Sequence, residues 1–394
     1  MAPALPTMRV LIDFTNDWNH TPPEFTELQA VTHELQIRRG RQFERDAVQS
    51  GRLTLTLDNA AGDLWPDTSG GMPTRQIRPG LQTRVEAVWQ NVVYPLFTGF
   101  IESWEPSVTP GQSIVTVTAY DGLKLLATRQ LETAGFVQGL SGARIGQILD
   151  DIDWPAGARQ LDAGQMTVTA SGALDRVAAR EHLNQVLTAE QGYAFIDGAG
   201  RFAFHDRAAR TVGGAAHAVF GPATRGAVPA LPFADPVFEM TDVRVVNDAS
   251  VTRTGGTPQT AENETSQDSY GVRSETLNNL PLTSDLEARS LAQYRVSQWA
   301  EPGMRLRAIT LRPEANPAAM FPQALGREIG DRVTVRWPPA GIDADFYIEG
   351  IQHRRRAHTG WTTQWWLSPT SALTYWRLGI VGASELGQTT RLSF

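Results

Sequence analysis

The sequence contains no cysteine. That excludes disulfides, thiolate nucleophiles, cysteine-ligated zinc and iron–sulfur clusters, and it leaves the redox compartment open. Lysine is almost missing as well. Lys124 stands alone among 35 basic residues, and the others are arginine. GC-rich coding accounts for such a bias, and arginine also favours bidentate pairing at interfaces. No stretch approaches the roughly 20 apolar residues of a membrane span. Met1 to Arg9 is broken by proline and lacks the apolar core of a secretion signal, so no stable membrane insertion is expected. A basic excess is absent too. The net charge is −7 and the isoelectric point about 5.6, which argues against a general nucleic-acid coat.

The usual signatures of catalysis are equally scarce. There is no Gly-x-Ser-x-Gly elbow and no phosphate loop ending in Gly-Lys-Ser/Thr. His33-Glu34 begins like a zinc-protease helix, but Ile37 stands where the second histidine belongs. Carboxylates gather at Asp150, Asp151 and Asp153 and at Asp343 and Asp345 without an EF-hand pattern. His353 and His358 flank Arg354, Arg355 and Arg356, a pattern that reads as a solvated basic strand end or as an interface or lumen contact to an acidic neighbour or a DNA phosphate. Asn263-Glu264-Thr265 matches a glycosylation sequon with no secretion signal to make it meaningful. The expectation is a non-enzyme with no catalytic residues, no cofactor and no metal.

What is present is a globular composition, 41% hydrophobic and 20% charged. Leu53 to Leu57, Arg84 to Trp89 and Ser113 to Tyr120 alternate apolar and polar residues as half-buried strands do, and Leu96 to Trp104 reads as a further strand with Gly99 inside it, a sign of a bulge or a close backbone approach. The middle reads as α+β. Ser141 is expected to cap a helix burying Ile145, Ile148, Leu149 and Ile152, and Ser171 a second one burying Leu174, Val177, Val186 and Leu187. Tyr193 to Ile196 and Arg201 to Phe204 form a hairpin around Asp197-Gly198. Residues 211–236 suggest a linker and Thr254 to Tyr270 an exposed loop. Ser284 and Glu287 have capping-box spacing, starting a helix over 284-300 that would bury Leu286, Leu291 and Tyr294. The expected division is 1-125 as a first β-module, 126-235 as the α+β region and 236-394 as a second β-module with a tail.

The two ends resemble each other. Arg84 to Trp89 followed by Phe97 to Glu102 is matched by Arg332 to Trp337 followed by Phe346 to Ile351. A strand precedes each pair, at Leu53 to Leu57 and at Arg305 to Leu311. Another trails each pair, at Val115 to Ala119 and at Thr362 to Leu367. This pattern suggests a duplicated small β-barrel. Three copies of such a chain would present six similar modules in a ring. Tryptophans are dense near the end (Trp361, Trp365, Trp366, Trp376), and alternation with Thr and Gln favours core and interface packing over stacking on sugars. Arg336, Trp337, Trp361 and Trp376 are the candidate interface anchors.

Arg39-Gly40-Arg41, Gly51, Leu57-Asp58-Asn59, Arg78-Pro79-Gly80, Pro95 to Ile101 and Ala119-Tyr120-Asp121, in that order, resemble the opening of minor tail proteins of long-tailed bacteriophages. Leu325-Gly326, Gly330-Asp331-Arg332-Val333, Tyr347 to Ile351, Leu367-Ser368-Pro369, Tyr375-Trp376 and Ser384 to Gly387 resemble their far end. The resemblance, to the tail-tip or baseplate hub family, implies a mainly β fold with two similar β-barrel modules. It implies a structural virion protein, made in the host bacterial cytoplasm, that forms a homotrimeric ring at the distal end of the tail tube. The implied partners are a distal tail protein, the tail tube protein, the tape-measure protein and tip or fibre proteins, with transient passage of DNA. No added peptidase or muralytic domain is expected after the second module. The alternatives are a tail-associated cell-wall hydrolase and a host-glycan-binding tip protein using the tryptophan stretch.

Overall fold

The structure is a computed structural model that describes residues 5–15, 23–28, 32–62, 64–66, 77–210, 215–222, 230–356 and 360–370. The alternating stretches become strands because each carries a stripe of apolar residues with period two. In Gln49–Asp58, Leu53, Leu55 and Leu57 are buried and the threonines between them are half-buried. In Gln112–Tyr120 the inward residues are Val115, Val117 and Ala119.

The two β-rich ends join edge to edge in one 13-stranded sheet. Its main path runs Ala234–Glu239, Arg305–Leu311, Gly360–Pro369, Ile342–Arg356, Thr32–Gly40, Gln49–Asp58, Gln112–Tyr120, Val92–Thr109, Gln82–Trp89, Thr7–Ile12 and Thr26–Glu27. Val219–Phe220 and Arg332–Trp337 lie off this path, paired parallel to each other, and Arg332–Trp337 also pairs with Ile342–Arg356. The seam between the ends is the antiparallel pair of Thr32–Gly40 with Ile342–Arg356.

The strand order repeats. In the first copy the order is Thr32–Gly40, Gln49–Asp58, Gln112–Tyr120, Val92–Thr109, Gln82–Trp89. In the second it is Ala234–Glu239, Arg305–Leu311, Gly360–Pro369, Ile342–Arg356, Arg332–Trp337. The agreement extends to single hydrogen bonds. Gly80 N–H donates to Ile101 C=O at 2.7 Å and Ile101 N–H to Leu81 C=O at 2.9 Å. In the second copy Gly330 N–H donates to Ile348 C=O at 2.7 Å and Ile348 N–H to Asp331 C=O at 2.9 Å. Both glycines have positive φ, +89° and +94°, which opens each strand at the same turn.

The mainly β fold with an α+β middle is therefore as expected, with local differences. Leu174–Ala178 is a strand, not the start of a helix, because Leu174 and Val177 pair with Thr133 and Leu131; the helix follows at Ala179–Glu190. Ser141 lies inside its helix and caps nothing; its hydroxyl donates to the buried Glu190. The stretch from Thr254 to Tyr270 is structured, not an open loop. It holds Gln259–Glu262 and a helix Glu264–Tyr270, whose N-cap is Asn263, accepting from Ser266 N–H at 3.0 Å. The capping box at Ser284 and Glu287 forms. Its helix, Asp285–Trp299, buries Ala288, Leu291, Ala292, Val296 and Trp299 and leaves Leu286 exposed.

Burial also cuts across the linear division. One core mixes Leu123 of the first module and Leu126 to Phe204 of the middle region with Val246 to Ala300, which the sequence placed in the third. The short sheet formed by Asp248–Arg253, Gln259–Glu262 and Ser274–Leu280 buries Ala249, Val251 and Leu280 in this core, against the Asp285–Trp299 helix and the middle helices. The other two cores lie under the first β-copy and the second. No helix among the described residues is long and apolar enough to cross a membrane.

Candidate functional site

The seam is where short motifs far apart in sequence meet. Gly40 and Gly350 are direct partners in the ladder. A methyl group on Gly40 would lie 2.4 Å from Glu349 O and 2.7 Å from Gly350 Cα, and one on Gly350 would lie 2.5 Å from Arg41 O. Glycine is required here by close approach, and at Gly40 also by a φ of +86°. The backbones interlock further through Arg41 N–H, which donates to Glu349 C=O at 2.9 Å.

This crossing brings Glu349 into a site with no solvent exposure. Arg210 donates to it through Nη1 at 2.6 Å and Nη2 at 3.2 Å, and Arg41 donates through Nε at 2.7 Å. The Ser368 hydroxyl completes the set. Burial pushes the Glu349 carboxyl up, but Arg210 and Arg41 overcome it and hold the pKa at about 2. Arg210 is stacked on Tyr193, with 4.0 Å from Cζ to the ring centroid, and its carbonyl accepts from the Tyr347 hydroxyl. One carboxylate thus ties together the first β-copy (Arg41), the middle region (Arg210, Tyr193) and the second copy (Tyr347, Ser368).

A second tie runs alongside. Arg39 donates to Glu328 Oε1 at 2.8 Å and to Ile196 C=O at 3.3 Å, and Gly198 N–H donates to Glu328 Oε2 at 3.2 Å. The turn of the middle hairpin presses on the first copy, with Thr98 Oγ1 donating to Gly198 C=O at 3.2 Å. A third tie is Asp121, which accepts from Gly51 N–H at 2.7 Å and from Leu123 N–H at 3.0 Å. Burial raises its carboxyl to about 7 in spite of those bonds.

The four candidate anchors fall in different places. Trp361 is 1% exposed, packed in the core of the first copy with its indole N–H on Thr363 Oγ1 at 2.9 Å. It is a core residue of this chain and offers nothing to a partner in this conformation. Trp337 is half-buried against Phe233, ring centroids 5.3 Å apart. Arg336 is half-exposed and its Nε lies 3.1 Å from Asp343. Trp376 lies outside the described residues. Trp365 and Trp366 are buried as well, so the described part of the tryptophan stretch presents no aromatic face to a glycan.

His353 also differs from its reading as a solvated strand end. It is 1% exposed, 3.0 Å from Thr363 Oγ1, and burial lowers its pKa to about 3. His358 lies outside the described residues. Among the described residues no group of three or more His, Asp or Glu is arranged to hold a metal. Sequence reasoning missed Glu349, Arg210 and Asp121 as buried ionisable groups. The available signal was that Arg41, Glu349 and Asp121 each sat in a motif of the resemblance, those of Arg41 and Glu349 bearing a glycine. Nothing in the sequence marked Arg210.

The mainly β fold that carries these ties is similar to that of tail proteins of known structure. The 43 kDa tail protein of prophage MuSo2 from Shewanella oneidensis is similar in structure, with a TM-score of 0.57 over 93% of this chain and 99% of that one, at 13% identity. The tail protein from Neisseria meningitidis MC58 is similar with a TM-score of 0.58 over 92% of this chain and 96% of that one, also at 13% identity. At such identity the likeness is one of fold. No protein-family model and no curated protein matches the sequence.

Proposed function

We propose that this chain is a structural subunit of a phage tail tip, a baseplate or tail-tip hub without enzymatic activity. In this reading three copies close into a ring at the distal end of the tail tube. The observation that carries it is the repeated strand order at the two ends of the chain, in a fold similar over nearly the full length to two tail proteins of known structure, one of them from a prophage. If each copy of the motif closes as a barrel, three chains offer six similar units, and a threefold tip can then meet a sixfold tube. The neighbours are a distal tail protein, tube subunits, the end of the tape measure, and tip or fibre proteins, with DNA passing through the centre.

The buried ties suit that role. Ion pairs shared by both β-copies and the middle region hold the two copies in one orientation, which a ring of fixed geometry needs. Arg336 and Trp337, half-buried at the end of their strand, remain the candidate anchors between chains. Ala234–Glu239 closes the path of the large sheet with one partner strand, and Met240, Val243 and Met304 are exposed beside it. An edge flanked by exposed apolar side chains suits burial by a neighbouring subunit. The test is a reconstruction of the assembled particle by electron microscopy, with sedimentation of the purified chain beside it. Three copies at the tube end support the reading; a copy number other than a multiple of three, or a position along the tube wall, overturns it.

A further inference from the structure

Beside the Arg41–Val48 loop, where the core of the middle region meets that of the second copy, lies a partly open cavity of about 220 Å³. Six arginines line it: Arg41, Arg45, Arg180, Arg207, Arg210 and Arg295. Arg207 has its own partner, Glu190 Oε1 at 3.2 Å, and the other five have two carboxylates between them. Glu349 serves both Arg41 and Arg210, and Glu275 is shared by Arg45 and Arg295. Arg180 bonds to neutral oxygens, Val48 C=O at 2.7 Å and Ser50 Oγ at 3.3 Å. The carboxylates on the wall are committed elsewhere: Glu44 to Arg305, Asp46 to Arg244 at 2.9 Å, and Asp206 to Gln165 at 2.9 Å.

The deficit shows in individual atoms. The Nε atoms of Arg45, Arg210 and Arg295 are buried and have no hydrogen-bond partner. Arg295 is the extreme case. Its nearest carboxylate oxygen, Glu275 Oε2, is 3.7 Å away, too far for a hydrogen bond. Burial holds its pKa below the ordinary value; Glu275 opposes that shift, and the like charges of Arg45 and Arg41 add to it. Buried donors left unpaired are costly, and clustered cations repel, so such a wall gains from an anion with several acceptor oxygens.

We propose that this cavity binds a small tetrahedral oxyanion of the phosphate class. Guanidinium groups match its oxygens in charge and in fork geometry. The volume leaves room for the ion together with several waters. Held there, it would join the Arg41–Val48 loop, the Ala179–Glu190 helix and the Asp285–Trp299 helix, one from each side of the cavity.

The test uses the full chain exchanged into chloride buffer and titrated with inorganic phosphate at constant ionic strength. Calorimetry reads binding and thermal unfolding reads stabilisation. The expected result is one saturable site and a melting temperature that rises with phosphate more than with chloride. Arg295→Gln should weaken the affinity by about tenfold or more, the effect of one lost charge-assisted hydrogen bond. Arg180→Gln provides a second variant if Arg295→Gln fails to fold, with the same loss expected. No saturable heat for the wild-type chain, or unchanged affinity in a folded variant of either residue, overturns the proposal.

Discussion

Arg210 and Glu349, 139 residues apart in sequence, face each other in a two-point contact of 2.6 and 3.2 Å, both side chains buried. Nothing local dictates this pairing. It exists because the middle region delivers Arg210 to the seam where Thr32–Gly40 crosses Ile342–Arg356. Breaking one partner leaves a buried charge. Arg210→Met should therefore destabilise the chain by about 3–5 kcal/mol, read by chemical denaturation. Glu349→Gln, which strands two guanidinium groups, should cost at least as much. A loss under 1 kcal/mol for both would refute the tie.

The seam glycine makes a separate prediction. Gly40→Ala places a methyl group against backbone atoms of residues 349 and 350, at a positive φ. Strain of that kind costs on the order of 1–3 kcal/mol before any repacking of the seam. Gly62 also has positive φ, +78°, but a methyl group there meets nothing within 4 Å. Gly62→Ala should cost about 1 kcal/mol, and the difference between the two measures the close approach.

Acid titration should reveal two opposed groups. His353, neutral in the fold down to about pH 3, has an ordinary value of 6.5. Its contribution is complete above 6.5 and is lost as pH falls toward 3. Asp121 has a folded pKa of about 7 against an ordinary 3.8. Its contribution is complete below 3.8 and is lost as pH rises to 7. Between 4 and 6.5 the two slopes cancel in the wild-type chain. His353→Gln should make stability rise on acidification through that window, and Asp121→Asn should make it fall, each by about 1 kcal/mol per pH unit. Glu349 adds a loss of stability as pH drops from 4.5 toward 2. Parallel pH profiles for the two variants would contradict this assignment.

The tryptophans separate packing from assembly. Trp361→Ala should destabilise the folded chain by about 3–5 kcal/mol, the usual cost of emptying a core site, with no specific effect on self-association beyond it. Trp337→Ala should leave the fold intact and weaken association between chains, measured by sedimentation equilibrium. The opposite pattern would remove Trp337 from the interface.

Much of the β architecture was legible in the sequence, because alternation of apolar and polar residues reports directly which face of a strand is buried. The Leu53 to Leu57 stripe and the matched Arg84 and Arg332 strands are examples, and so is the capping box at Ser284. The misreadings have a common cause. Leu174 and Val177 fit a helix or a strand, and a strand partner at Leu131 and Thr133 decided between them. Polar residues from Thr254 to Tyr270 form regular structure because neighbouring strands and the Asn263 cap supply what their own sequence lacks.

The sequence by itself determined the strands, the duplication of their order and the glycines that allow close backbone approach, since these depend on local periodicity and on φ. Only the tertiary structure decided that the two copies fuse at Gly40 and Gly350, that Trp361 lies inside, and that Arg41 and Arg210 share Glu349. Those outcomes depend on which backbones come within a few ångströms of each other. Contact between residues more than a hundred positions apart leaves no periodic trace in a single chain.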